Sequence, residues 1–199
     1  MTETNIGKKY YKEQALKWGD SASFAMEDEI VKDREVELIS NFINILKGEN
    51  LRTADIGCGN GYALNILSTK FPNNIYTGTD ISQELLNIAE DRKLANCDFY
   101  KDDIRSSTSI DCYYDAVYTE RCLINIPTWE EQKKALNEIH RILKPGGHYL
   151  MIECFTDGLA NNNKARVECG LPALKEVPFN KFFDKELFFE AVEDKFDIK

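Results

Sequence analysis

Three glycines spaced by single residues, Gly57, Gly59 and Gly61, follow the acidic Asp55 and precede a helix-like run that starts at Tyr62. A second acid, Asp80, comes later in the chain. Glycine tolerates positive φ and lets a ligand approach the backbone closely. A carboxylate about 20 residues beyond such a turn is suited to ribose hydroxyls. With Cys58 and Asn60 inside the turn and Ile81 beside the second acid, the pattern predicts a pocket for a ribose-bearing cofactor that faces a helix N-terminus. A dinucleotide fingerprint puts its third small residue three positions after its second, and here that position is Tyr62.

Such a pocket requires a strand that ends at the turn and a helix that leaves it. Residues 51–56 read as a buried parallel strand, and Tyr62, Ala63, Leu64, Ile66 and Leu67 open a helix. Further strands at 74–80, 98–101, 114–119 and 148–153 alternate with helical stretches. This predicts an α/β, Rossmann-like, doubly wound and mainly parallel sheet with helices on both faces. Ser82 is placed to cap the helix that runs to Leu94, and Thr128 with Glu131 forms a capping box ahead of the apolar stripe Ala135, Leu136, Ile139 and Ile142. Lys144-Pro145-Gly146-Gly147 stops that helix. Upstream, Ile30, Val31, Leu38, Ile39, Phe42, Ile43 and Leu46 recur at helical spacing, with Gly48 placed to end the helix. Tyr10, Tyr11 and Trp18 form either a lid over the cofactor or an anchor to the core. The chain reads as a single domain with an N-terminal helical cap at 1–50, a cofactor-binding core at 51–155, and an acceptor-side loop and shortened C-terminal part at 156–199.

At 199 residues and 43% hydrophobic content, the chain can bury a full core without disulfides or metals. Its net charge of -9 opposes a polyanionic partner, so no nucleic acid is expected. The opening Met1-Thr2-Glu3-Thr4 lacks a charged-then-apolar leader, and no apolar run approaches membrane-spanning length, which predicts a cytoplasmic protein without membrane insertion. Cys58, Cys97, Cys112, Cys122, Cys154 and Cys169 are scattered, with no Cys-x-x-Cys pair, so no metal is expected and the thiols read as free.

The run Ala54-Asp55-Ile56-Gly57-Cys58-Gly59-Asn60-Gly61 resembles motif I of the class I S-adenosylmethionine-dependent methyltransferases, with Asp55 as its opening acid. Ile142-Leu143-Lys144-Pro145-Gly146-Gly147 is similar to the helix-turn that precedes their fifth strand. The resemblance implies S-adenosylmethionine as cofactor and S-adenosylhomocysteine as product, held by Asp55, Gly57, Cys58, Gly59, Asn60, Gly61, Asp80 and Ile81, with Tyr11 and Trp18 over them. It also implies that Asp103 approaches the adenine amino group with Ile104 beside the ring, Asp102 being the competing choice, and that the Thr119 backbone lies near the methionine part. The segment from Thr119 through Asn125, and Gly170-Leu171-Pro172, look similar to methyltransferases of surface-polysaccharide biosynthesis, which implies a small sugar- or phosphate-containing acceptor. Members of the class complete a seven-stranded sheet, whereas residues 182–189 and 196–199 leave room for fewer strands here, and 156–175 reads as a mobile acceptor-side loop.

Methyl transfer from a sulfonium is an in-line displacement, so alignment is the enzyme's main contribution, and a base is needed only for a hydroxyl or ammonium acceptor. Ligands in such sheets sit beyond the carboxyl ends of the strands, which places His140 and His148 away from the chemistry. Glu120 and Arg121, past strand four, and Glu153, ending strand five, are the polar groups placed to meet an acceptor. Glu120 would take a proton and Arg121 would hold an anionic group. Without a base the acceptor must arrive ionised, as a phosphate, phosphoramidate or carboxylate oxygen, and O-methylation is the expected reaction. N-methylation of a small metabolite, nicotinamide-dependent oxidoreduction and non-catalytic cofactor binding are the alternatives. No Asn/Asp-Pro-Pro-Tyr element and no Pro-Cys nucleophile follows strand four, as DNA-directed enzymes would require.

Overall fold

The computed structural model describes residues 28–175 and 177–199, together with 9, 13, 17 and 19–21. Its elements run α1 (Glu29–Ile45), β1 (Arg52–Ile56), α2 (Tyr62–Lys70), β2 (Ile75–Asp80), α3 (Gln83–Asp91), β3 (Cys97–Lys101), β4 (Tyr114–Glu120), α4 (Trp129–Ile142), β5 (Leu143–Ile152), α5 (Thr156–Glu168) and α6 (Lys185–Val192). Short 3-10 turns stand at Ile104–Ser106 and Leu123–Asn125. The five strands form one parallel sheet in the order β3-β2-β1-β4-β5. The chain winds outward from β1 to β3, returns to β4, and leaves a crevice at the switch point between β1 and β4.

Side chains alternate across each strand. Ala54, Ile56 and Val117 therefore go to one face with Leu136, Ile139 and Phe183. Tyr118 goes to the other, with Val36, Ile39, Leu64 and Leu86. Each such aliphatic side chain contributes about 1.5–3 kcal/mol by leaving water. The helix starts are fixed by side-chain caps: Ser82 accepts from the Leu85 amide at 3.3 Å, and Thr128 accepts from the Glu131 amide at 3.3 Å.

Three details depart from the sequence reading. α1 ends with Lys47, not Gly48, in the left-handed region, at φ +48°; a Cβ at Gly48 would meet only the end of the Leu51 side chain. The 156–175 segment is not a loop throughout, since Thr156–Glu168 is helical. That helix buries none of its residues, so it left no apolar stripe to read; Asn163, bonded to Leu174, and Arg166, bonded to Pro172, tie it to the chain that follows. β5 begins earlier than expected: Leu143 pairs with Tyr114, the register then shifts, and His148 resumes it opposite Ala116. Among the described residues the sheet has five strands, fewer than seven as expected, and no antiparallel strand follows β5; α6 and an isolated parallel bridge between Phe155 and Phe183 close the structure.

Candidate active site

A cavity of about 540 Å³ opens at the carboxyl ends of β1, β2 and β4. Its walls include Asp55, the turn residues Gly57, Cys58, Gly59 and Asn60, then Asp80 and Ile81, Asp102 to Arg105, and Glu120 to Cys122. The glycines permit the turn: Gly57, Gly59 and Gly61 have φ of +81°, +54° and +71°. At Gly57 a Cβ would stand 2.6 Å from the Cys122 Cβ, so the bare Cα is what lets β4's exit loop close against the turn.

Four of the turn's amides, those of Gly57, Cys58, Gly59 and Gly61, are already bonded within the protein. The Gly57 and Cys58 amides both donate to the Thr79 carbonyl, at 2.7 and 3.0 Å, and the Gly61 amide donates to the Cys58 carbonyl at 3.0 Å. Gly59 donates to Asp80 Oδ2 at 3.0 Å, and Ser82 donates to Asp80 Oδ1 at 2.8 Å. These bonds lock the turn to the end of β2 and aim the Asp80 carboxylate. Burial raises the Asp80 pKa, against the pull of those amides. A carboxylate has about four acceptor sites, so Asp80 keeps acceptor capacity beyond these amides.

Asp55 lies beside Tyr118 in register and accepts from its hydroxyl at 2.8 Å. Burial pushes the Asp55 carboxyl up to about 8, against that hydrogen bond. Asp103 caps the first 3-10 turn and pairs with Arg105 at 2.6 Å, and Ile104 is buried beside it. Asp102 is held by its own loop, accepting from Ser107 Oγ at 2.6 Å and from the Thr108 amide at 3.1 Å. Thr119 is fully buried and its hydroxyl shares a 2.8 Å hydrogen bond with Tyr149, so this side chain turns into the core and is not part of the cavity wall. Asn60 reaches outward: its amide donates to the Gly19 and Ser21 carbonyls at 2.9 and 3.0 Å. Tyr11 and Trp18 lie outside the described residues.

At the other end of the cavity, Glu120 and Arg121 meet two residues that the sequence reading missed. Lys32 and Glu35 sit on the core-facing side of α1, in line with Val36, Ile39 and Ile43. Lys32 Nζ is 2.5 Å from Glu120, Arg121 pairs with Glu35, and Arg121 also reaches Glu120 at 3.2 Å. The Lys32 and Glu120 side chains are only 5% and 8% exposed. Burial opposes charge on Glu120, but Lys32 and Arg121 outweigh it and hold this carboxylate below its ordinary range. For Glu35 burial prevails over Arg121 and pushes the carboxyl up to about 7. Arg121 has φ +50°, an uncommon conformation for a residue with a side chain. Glu153 does not face the cavity; it accepts from the Cys122, Leu123 and Ile124 amides at 2.9, 2.9 and 3.1 Å and so caps the second 3-10 turn. His140 stacks edge-on against Phe196, and His148 lies in β5, both away from the cavity.

A doubly wound sheet with an acid-flanked glycine turn at its switch point defines a nucleoside-cofactor-binding enzyme fold. Residues 54–147, just under half of the chain, match the family model described as a methyltransferase domain, in keeping with a class I S-adenosylmethionine-dependent methyltransferase. The chain is 31% identical over 130 residues to the tRNA (carboxymethyluridine(34)-5-O)-methyltransferase of Mus musculus, a match covering 64% of this chain and 18% of that protein. It is 29% identical over 132 residues to the trans-aconitate 2-methyltransferase of Variovorax paradoxus, covering 66% of this chain and 48% of that protein. The chain thus spans less than half the length of each of these relatives. Among solved structures, a SAM-dependent methyltransferase from Methanosarcina mazei superposes with a TM-score of 0.61 at 21% identity, over 77% of this chain and 82% of that one. S-adenosylmethionine is the cofactor of the class. The cavity suits it: its volume lies within the range of small-molecule sites, and Asp80 keeps acceptor capacity beside an apolar wall at Ile81 and Ile104. No helix of the described residues is long and apolar enough to cross a membrane.

Proposed function

We infer that this protein transfers the methyl group of S-adenosylmethionine to an oxygen of a small acceptor, and that this oxygen is already ionised when it binds. The observation that carries the reading is the state of Glu120. Glu120 lines the cavity, and Lys32 and Arg121 hold it ionised with its pKa lowered, which makes it a weak base. Neither histidine lines the cavity. An anionic oxygen needs no base, so the site's task reduces to orientation.

The bound cofactor supplies an activated methyl on a sulfonium. Asp55, the Gly57 to Gly61 turn, Asp80, Ile81, the Asp102 to Ile104 segment and the Thr119 backbone would hold it, with Tyr11 and Trp18 over it. Asp80 presents its open acceptor sites to ribose hydroxyls, and Asp103 with Ile104 forms the adenine side. Glu120 and Arg121 face the acceptor, Glu120 as a fixed charge and Arg121 as an anion-binding group. Carboxylates and phosphates are acceptors of this kind, including sugar- or phosphate-containing precursors of surface polysaccharides. The tRNA relative acts on a carboxymethyluridine and the Variovorax relative on trans-aconitate, and both of those molecules bear carboxyl groups. The net charge of -9 favours a small acceptor over a nucleic acid, and free thiols at all six cysteines accord with a cytoplasmic location. The helical cap, the core and the 156–199 part are read as one domain, because α1 contributes to the same cavity and α6 to the same core as β1 and β4.

Incubation of the protein with methyl-labelled cofactor and a panel of small carboxylates, sugar phosphates and amines tests this reading. Mass spectrometry of the product is expected to place the label on oxygen. Transfer to nitrogen, or calorimetry showing affinity for NAD and none for S-adenosylmethionine, would overturn it.

A further inference from the structure

Lys32 occupies a position where lysine is rarely found. It projects from the core-facing side of α1, its side chain is 5% exposed, and it forms part of the cavity wall. A buried ion pair is weak evidence for stability, because an apolar residue of similar volume often serves as well or better. The position therefore calls for a use. The ammonium has three donors. One goes to Glu120 at 2.5 Å, and the charge also lies 5.7 Å from the centre of the Tyr62 ring. Among the described residues no second hydrogen bond is made by Nζ, although the side chain borders the cavity.

The surrounding charges are arranged to keep this ammonium in place without consuming it. Glu120 is shared between Lys32 and Arg121, while Arg121 is drawn back toward Glu35. Arg121 is further fixed by its own backbone, whose amide donates to the Ile152 carbonyl at 2.8 Å and whose carbonyl accepts from Asn125 Nδ2 at 2.7 Å. Arg121 is thus bound on two sides by carboxylates, while Lys32, with one hydrogen bond made, keeps two N–H donors for a ligand.

We propose that Lys32 binds an anionic oxygen of the acceptor by a direct hydrogen bond, with Glu120 as the partner that offsets the charge of its ammonium until the acceptor arrives. This makes α1, outside the residues matched by the methyltransferase family model, a determinant of acceptor specificity. The proposal rests on the reading that the acceptor is anionic, and it names the residue that selects it.

The test uses the full chain saturated with S-adenosylhomocysteine, titrated calorimetrically with malonate and, separately, with inorganic phosphate. Wild type is expected to bind at least one probe, malonate identifying a carboxylate acceptor and phosphate a phosphoryl one. Lys32→Met is expected to weaken that probe about tenfold or more, the scale of one charge-assisted hydrogen bond, while Lys32→Arg stays within a few fold. Glu120→Gln, which removes the neutralising partner and keeps the lysine, is expected to tighten the probe about threefold and serves if Lys32→Met does not fold. S-adenosylhomocysteine affinity should stay within about twofold in all three variants, as fits a residue outside the cofactor end. Equal probe affinity in wild type and Lys32→Met overturns the proposal, as does unchanged or weaker affinity in Glu120→Gln, or binding of neither probe by the loaded wild type. Failure of wild type to bind S-adenosylhomocysteine is a different outcome, which refutes the methyltransferase reading itself.

Discussion

Replacing Gly57 by alanine tests whether the glycine turn is required for the reason the structure gives. Two costs add at this position. A residue with a Cβ at φ +81° loses about 1–2 kcal/mol relative to glycine. The new methyl also meets the Cys122 side chain, with Cβ to Cβ at 2.6 Å, and relieving such overpacking costs about 1–3 kcal/mol. Cys122 cannot move away freely, because its amide is held by Glu153 at 2.9 Å. A loss of about 2–5 kcal/mol is expected, which lowers the melting temperature of a chain this size by roughly 4–20 °C. The Gly57 and Cys58 amides must shift off the Thr79 carbonyl, so Asp80 loses its alignment and S-adenosylhomocysteine affinity should fall at least about tenfold. Gly146→Ala is the internal control. It has φ +76° but nothing within 4 Å of an added Cβ, so it should carry only the conformational cost of about 1–2 kcal/mol and leave cofactor affinity unchanged. Calorimetric melting and ligand titration of both variants decide the matter. If Gly57→Ala is no more damaging than Gly146→Ala, the contact between the turn and Cys122 is not what fixes the site.

Asp55 should make stability fall with rising pH. Burial raises its carboxyl from 3.8 to about 8, so between those values the folded state keeps a proton that the unfolded state has released, and stability decreases as pH rises through that window. At about 1.4 kcal/mol per unit the full effect is about 6 kcal/mol. Asp55→Asn, which still accepts from Tyr118, is expected to remove this slope, so urea midpoints of wild type and variant should diverge from pH 5 to pH 8; parallel profiles would refute the assignment. Glu153→Ala removes the acceptor of three amides, at Cys122, Leu123 and Ile124, and should cost about 2–3 kcal/mol in urea unfolding, whereas a loss under about 0.5 kcal/mol would show that water replaces the carboxylate.

Local signals carried most of the fold. The cap of α3 by Ser82 and of α4 by Thr128, and the turn at Gly57 to Gly61, each depend on residues within a few positions of one another, and the parallel architecture follows from the alternation they punctuate. Hydrophobic periodicity also located α1, but it misassigned that helix's faces. Ile30 and Leu38, counted in the apolar stripe, are 77% and 54% exposed, and the buried face carries Lys32, Glu35 and Ser40 beside Val36, Ile39 and Ile43. A pattern read from apolar residues alone cannot assign charges to a core face, because their burial depends on partners 85 or more positions away, at Glu120 and Arg121. Glu153 evaded the reading for the same reason. Its place at the end of β5 marked it as a candidate to meet the acceptor, yet the three amides that claim it belong to a loop about 30 residues earlier, brought alongside only because β4 and β5 pair.

The residues that escaped sequence reasoning are therefore not scattered at random. The cofactor end is built from segments whose geometry is set by the glycines and by short-range bonds, and Asp80 reaches the turn through a single strand pair, β1 with β2. The end proposed to meet the acceptor is assembled from α1 and the end of β4, and its charges are stable only together. Removing one member leaves an uncompensated buried charge, which is why a substitution at Lys32 or Glu35 should be felt at Arg121 although α1 and β4 are far apart in the chain. A site divided this way can keep its cofactor geometry while its acceptor end changes, since Lys32 and Glu35 have no bond to the glycine turn and the turn has none to them.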